Sequence, residues 1–509
     1  MSGLFSSMKN SVIAATSMIV TLLGSFVLQI IFAQQLSANY LGANGLFTNV
    51  VSYLSFAELG LGASIVFSLY KPLAENDWDT SSAIMMFFKK TYRVIGIFIL
   101  VTGFGISSFL PNLINKSSTI PNVRLMFLLY VFGVSITYFF SYARSLFLAT
   151  DKMYVNTLNQ LFFKVLQYII QGTLLIALQS YTGYLIAVIL LNFAGNYSIS
   201  KQAKRFFPLI NWQTSGKVPS EIMNRFEKNI LGNISAKIGT IIVFGTDNIL
   251  ISKFLGLATV GYYSNYALIV QGLQSLMTQV VGGVLPSVGR IGVVGSSDKK
   301  EQLYYDVLHV NAMLTFGITV AMYALIPSFI SFFFSPAYVL PREVTFVIAI
   351  NFAVATLRTT NGNFISGFGL FWALRYKSLI ESAVNLIMSL GLIMFTNLGL
   401  AGVLIGTLIS DLVINFWWEP LIVAKYGLKV PLRKLLKISF LYHLEIFVTL
   451  FIMYYLLSGL VINNVFGIVF WGVIVGVMSI GLFIVLNVFL PQNKRLFTFI
   501  FNLVKKWRN

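Results

Sequence analysis

Several ionisable side chains fall inside long apolar runs, among them Glu58, Lys164, Lys237, Asp247, Arg358, Glu381 and Asp411. In hydrocarbon such a group costs about 2.5–3.5 kcal/mol on insertion scales, so each needs a water-filled cavity, a partner or a purpose. Lys and Arg grouped in a chamber bind anions, and the guanidinium fork matches phosphate oxygens. The chemistry on offer is therefore recognition of a phosphorylated, anionic ligand. For any single residue a structural bridge is the competing reading, for example Lys237 with Glu58 or Asp247.

Spacing groups these residues. Asn156, Gln160, Lys164, Gln167 and Gln171 recur at steps of four, four, three and four, a single stripe along one helix. Inside a membrane such a stripe lines water or pairs with another polar helix. Asn229, Asn233, Lys237 and Thr240 repeat the pattern two apolar runs later, and Asp247 follows on nearly the same face. At 1.5 Å per residue, Lys164 and Lys237 lie roughly 12–15 Å from their cytoplasmic helix ends. Arg358, one heptad after Asn351, falls in the cytoplasmic half of its run, so three cations are expected to share one inner chamber. Glu58 and Asp247 complete the candidate cavity lining. Asp247, near the outer end of its helix, is open to two other roles, as a cap or interface anchor or as a hold on the lobe in one conformational state.

The elements that position these groups are membrane helices. The chain has 509 residues, 57% of them hydrophobic and 10% charged, with mean hydropathy +0.82. Its apolar runs are long enough to cross a core about 30 Å thick and apolar on all faces, unlike barrel strands. Fourteen spans are expected: 11–33, 44–70, 91–111, 123–148, 154–178, 181–200, 229–252, 259–285, 305–333, 343–366, 376–396, 399–423, 436–459 and 464–490. The first span is expected to be a retained signal anchor, because no A-x-A type cleavage site follows it.

Alternate loops carry about 28 Lys and Arg on the side holding both termini and about four (Lys116, Arg124, Lys253, Arg342) on the other. The positive-inside rule places both termini in the cytoplasm. The polar stretch 201–228 reads as an interlobe linker, dividing the chain into 1–200 (helices one to six), 229–424 (seven to twelve) and a final part, 425–509, with helices thirteen and fourteen and a basic tail. Its cations fit membrane topology and attraction to anionic lipid. A faint repeat agrees: Leu41-Gly42 followed by Gly45-Leu46-Phe47-Thr48-Asn49, and Leu255-Gly256 followed by Gly261-Tyr262-Tyr263-Ser264-Asn265.

Several function classes are excluded. The net charge of +19 is dispersed between apolar runs and forms no nucleic-acid stripe. No cysteine and only two histidines, His309 and His443, make a zinc cluster untenable. Gly60-Leu61-Gly62 and Gly367-Phe368-Gly369 lack a phosphate-loop context, and no Walker sequence occurs. No cofactor is expected, and catalysis is not expected. Glu381 with Asn385 and Asp411 with Asn415 read as interhelical hydrogen bonding. Trp417, Trp418, Trp471 and Trp507 read as interface anchors, and His443 and Glu445 as snorkelling groups.

Three segments carry a family resemblance. They are Tyr40-Leu41-Gly42 to Gly45; Ala57-Glu58-Leu59-Gly60-Leu61-Gly62 with Tyr70-Lys71-Pro72-Leu73-Ala74-Glu75-Asn76-Asp77; and Thr246-Asp247-Asn248-Ile249-Leu250-Ile251-Ser252 through Tyr262-Tyr263-Ser264-Asn265-Tyr266. Through these, and over almost its whole length, the sequence resembles the polysaccharide-transporter (Wzx-type) flippases of the multidrug/oligosaccharidyl-lipid/polysaccharide superfamily. The resemblance implies an all-α integral membrane fold with two six-helix lobes forming a V-shaped cavity plus two C-terminal helices. It implies movement of undecaprenyl-diphosphate-linked oligosaccharide repeat units across the bacterial cytoplasmic membrane by alternating access, ahead of capsule, exopolysaccharide or O-antigen assembly. The implied partners are that lipid-linked cargo, membrane lipids, and polysaccharide polymerase and assembly proteins. Lys164, Lys237 and Arg358 would then receive the diphosphate, an assignment that rests on helix position. The rival readings are a lipid II or teichoic-acid precursor flippase, whose cargo shares the polyprenyl diphosphate, and a multidrug and toxin exporter. A membrane glycosyltransferase or polymerase would be expected to carry a substantial outer loop, which this sequence lacks.

Overall fold

In hydrocarbon the backbone N–H and C=O groups have only one another as partners, and the apolar runs accordingly close into helices. The computed structural model describes residues 2–54, 61–115, 120–150, 152–213, 216–220, 223, 246–456, 462 and 464–508. Two compact units emerge, Met1–Ser264 and Asn265–Asn509.

The first unit contains α1 (Ser2–Gln35), α2 (Ala38–Leu54), α3 (Leu61–Ala74), α4 (Trp78–Phe109), α5 (Val123–Ser141), the short α6 (Arg144–Leu148), α7 (Met153–Leu178) and α8 (Tyr181–Phe206), then the helical segment 246–255 and the start of α9 (Leu257–Gly282). Helix α7 packs on α1 and α8, and α5 on α4 and α8. Local signals set the ends: Asp77 caps α4 through Thr80 N at 2.9 Å, and Ser180 caps α8 through Gly183 N at 3.1 Å. Outward faces are apolar, as lipid requires; α4 leaves Val94, Ile97, Val101 and Phe104 exposed at helical spacing.

The second unit continues with α10 (Leu285–Val294), α11 (Ser297–Phe333), α12 (Arg342–Leu357), α13 (Thr359–Gly367), α14 (Lys377–Phe395), α15 (Leu400–Ser410), α16 (Phe416–Ile422), α17 (Leu432–Leu456), α18 (Val465–Leu486) and α19 (Pro491–Arg508). Helix α11 packs on α12 and α18, and α14 lies along α15. Two wider π turns, Asp411–Asn415 and Val423–Leu428, flank α16. Pro420 lies within α16 and withholds a backbone donor, which favours such widening nearby.

The chain is thus an all-α integral membrane protein. Eleven helices among the described residues are long and apolar enough to cross a membrane, and they match eleven of the fourteen expected spans. Of the other three, the second carries α2 and α3 on either side of residues 55–60, which lie outside the described residues. Most of the seventh also lies outside them, and the eighth is α9, lowered in hydropathy by Asn265, Gln271, Gln274 and Gln279. The two compact units divide inside α9, downstream of the 201–228 stretch, because the beginning of α9 is bound to α2. A Cβ on Gly42 would lie 1.8 Å from the Leu257 carbonyl oxygen, and one on Gly261 would lie 2.2 Å from that of Ala38. The two copies of the sequence repeat therefore cross each other with backbone in contact, an approach open only to glycine.

Candidate functional site

Helix α7 carries the polar stripe. Lys164, half-buried, lies 5.6 Å from the Tyr168 ring centroid, with its ammonium 3.5 Å from Gln167 Oε1. Gln167 donates to Gln171 at 3.0 Å, and Gln171 donates to the Tyr184 carbonyl of α8 at 3.3 Å. One turn from the other end, Asn156 accepts from Arg144 Nη1 at 2.7 Å, and Arg144 Nε donates to Asn196 of α8 at 3.0 Å. Gln160, between them, is exposed. The stripe is thus partly a set of interhelical bonds and partly two cations, Arg144 and Lys164. Neither cation has a carboxylate ion-pair partner among the described residues. A half-buried cation whose described neighbours are neutral is a place where an added anion gains a Coulombic interaction that no carboxylate among them already supplies.

Arg358 is in a different setting. It sits at the break between α12 and α13, where Asn311 of α11 caps the freed carbonyls of Thr356 and Leu357 at 3.1 and 3.3 Å. That break turns the guanidinium onto three carboxylates. Its Nη2 donates to Glu419 Oε1 at 2.8 Å and its Nε to Glu419 Oε2 at 3.3 Å; Nη1 pairs with Asp411 and lies 3.5 Å from Glu381. Lys377 joins Glu381 at 3.0 Å and Glu419 at 2.8 Å. Asn415 donates to Glu381 at 2.6 Å and to Asp411 at 2.5 Å. The π turn 411–415 supplies both Asp411 and Asn415 to this cluster.

The remaining candidates are dispersed. Glu58, Asn233 and Lys237 lie outside the described residues, as therefore does a bridge from Lys237. Asp247 is buried within electrostatic reach of Tyr53 and Tyr263. Asn351 donates to the Leu404 carbonyl at 2.9 Å, tying α12 to α15. Asn385 of α14 donates to Thr407 of α15 at 2.9 Å. Glu445 accepts from Asn487, just beyond the end of α18, at 2.9 Å.

Sequence reasoning missed Arg144, Lys377 and Glu419 as site residues. Arg144 and Lys377 lie at the cytoplasmic ends of the expected spans 123–148 and 376–396, where they count with the loop cations, and Glu419 stands beside Trp417 and Trp418. The available signal was Glu419 at i+8 from Asp411, on the helix that also carries Asn415.

No protein-family model matches the chain, and no curated protein matches it. Solved structures do. The lipid II flippase MurJ in an inward closed conformation is similar at TM-score 0.67 and 14% identity, over 94% of this chain and 98% of that one. An inward-facing multidrug resistance MATE family transporter of the MOP superfamily is similar at TM-score 0.61 and 14% identity, over 80% of this chain and 95% of that one. At this identity the likeness is one of fold, and the fold is that of these membrane transporters.

Proposed function

We propose that this chain is a flippase that moves polyprenyl-diphosphate-linked oligosaccharide repeat units across the bacterial cytoplasmic membrane by alternating access, with both termini cytoplasmic. The destination is capsule, exopolysaccharide or O-antigen assembly, with polymerase and assembly proteins as downstream partners. The observation that carries the reading is the pair of half-buried cations, Arg144 and Lys164, whose partners among the described residues are amide oxygens and a tyrosine ring. Such cations favour phosphate, and the exposed amide of Gln160 between them suits a sugar hydroxyl. The fold shared with a lipid II flippase supports a lipid-linked cargo.

In this reading Lys164, Lys237 and Arg358 contact the diphosphate, joined by Arg144. Arg358 takes phosphate only once a carboxylate lets go of it. Glu58, Asn156, Gln160, Gln167, Gln171, Asn233, Asp247 and Asn351 belong to the path. The six-helix lobes are 1–200 and 229–424, joined by 201–228 and followed by 425–509.

A lipid II flippase is the second reading, favoured by the 94% coverage of this chain in that comparison. Reconstituted chain presented with a fluorescent polyprenyl-diphosphate oligosaccharide, lipid II and a cationic drug tests the proposal. Leaflet reorientation of the oligosaccharide carrier supports it. Movement of lipid II alone, or of the drug alone, replaces it.

A further inference from the structure

The cluster around Arg358 holds two cations, Arg358 and Lys377, and three carboxylates, Glu381, Asp411 and Glu419. The three carboxylate side chains are only 11%, 9% and 9% exposed. Fully ionised, the cluster keeps one negative charge in excess in a low-dielectric setting, where an uncompensated charge is strongly disfavoured. Two like carboxylates meeting at one site share a proton for the same reason. Glu381 Oε1 and Asp411 Oδ1 meet in this way, since both accept from the same Asn415 amide nitrogen.

From this arrangement we infer that the cluster is a proton-binding site whose proton resides on Asp411. Of the six carboxylate oxygens, Asp411 Oδ2 is the one without an N–H partner among the described residues. A second observation points the same way. Asn415 is fully buried, and its Oδ1 has no hydrogen-bond partner. Its Nδ2 donates to both carboxylates and carries no charge, so it leaves the excess negative charge of the pair for a proton to neutralise. A metal ion fits poorly, because five of the six oxygens are already taken by N–H donors and hard cations require several free oxygens.

The other titratable groups nearby are occupied elsewhere. Tyr304 of α11, within electrostatic reach of Glu419, donates to Asn361 at 2.8 Å. His443 of α17 lies against the Phe416 ring, with Nδ1 2.7 Å from the Ser439 carbonyl oxygen. The step balances as one proton from hydronium in the aqueous phase adding to Asp411 Oδ2: Asp411 becomes neutral, and Arg358 Nη1 loses its nearer ionic partner, with Glu381 3.5 Å away and Glu419 still holding the opposite edge. Protonation therefore weakens the carboxylate hold on the edge of Arg358 that an anion needs. This last consequence rests on the flippase reading, whereas the proton site does not.

Infrared difference spectra of the full chain in lipid, recorded across a pH titration, test the site without cargo. One protonated carboxyl band should titrate in the wild type and in the control Glu301→Gln, and should be lost in Asp411→Asn. Glu419→Gln balances the charges with Asp411 intact and should lose the band as well, which preserves the test if Asp411→Asn does not fold. Replacing sodium by choline should leave the spectra unchanged. Absence of the band in the wild type, its persistence in either cluster variant, or its dependence on sodium overturns the inference. A titrating band in a chain that moves no lipid-linked sugar retains the proton site and rejects the cargo.

Discussion

A side-chain Cβ placed on Gly45 would stand 3.1 Å from Ser264 Oγ, which joins the middle of α2 to the first turns of α9. That separation is close to the one between Cβ and the far sulfur of a disulfide. The chain has no cysteine, so the double variant Gly45→Cys, Ser264→Cys should form a crosslink on mild oxidation, read as a reductant-sensitive mobility shift. In the alternating-access reading the crosslink should also stop transport, with recovery on reduction. Nearby, Gly42→Ala drives a methyl into the Leu257 carbonyl and should lower the thermal unfolding midpoint more than Gly105→Ala, where open space surrounds the added carbon.

Removing Arg358 leaves Lys377 facing three carboxylates. Breaking a buried ion pair from one side typically costs about 3–5 kcal/mol. Arg358→Ala should therefore lower stability by that order in chemical unfolding. Glu419→Gln, which leaves two cations with two carboxylates, should cost clearly less. Equal losses in the two variants would show that charge balance does not govern the cluster.

How far these sites could be read in advance follows from what periodicity measures. A repeat of three and four residues reports which side chains share one helix face, and so the α7 stripe from Asn156 to Gln171 was legible. It reports nothing about the neighbouring helix. The partners of Arg358 lie on α14, the π turn and α16, up to 61 residues away, and so Arg358 read as a free cation. Arg144 was hidden differently: it follows α5 among loop cations, and only the α7 and α8 asparagines reveal that it turns inward. The spans themselves were legible because a bilayer demands length and apolarity from every helix, whereas the crossing of Gly42 and Gly261 depends on two repeats whose contact no local pattern encodes.

Asp77 offers a pH test outside the membrane. Hydrogen bonds from Thr80 hold its carboxyl below the usual range. A depressed folded-state value contributes stability that is complete above the unfolded carboxylate range and is lost as pH falls through the folded one. Asp77→Asn should keep much of the cap while flattening the acidic limb of the unfolding-midpoint profile. An unchanged acidic limb would remove Asp77 from the account.

Arg144 and Lys164 should differ in how they tolerate replacement. Arg144 bonds Asn156 and Asn196 at once through separate nitrogens, a task for the planar guanidinium. Arg144→Lys should therefore reduce transport nearly as much as Arg144→Ala, whereas Lys164→Arg, which preserves a point of positive charge, should retain part of it. Initial rates in proteoliposomes decide between these outcomes.

The most direct test of the central claim is the rate of leaflet reorientation of a fluorescent polyprenyl-diphosphate oligosaccharide in proteoliposomes, measured for the wild type and for Lys164→Ala at equal folded protein. The account predicts rapid movement in the wild type and at least about a tenfold loss in the variant, the equivalent of one phosphate contact worth about 1.4 kcal/mol. Equal rates in the two proteins, or no movement of the carrier by a folded wild type, would contradict it.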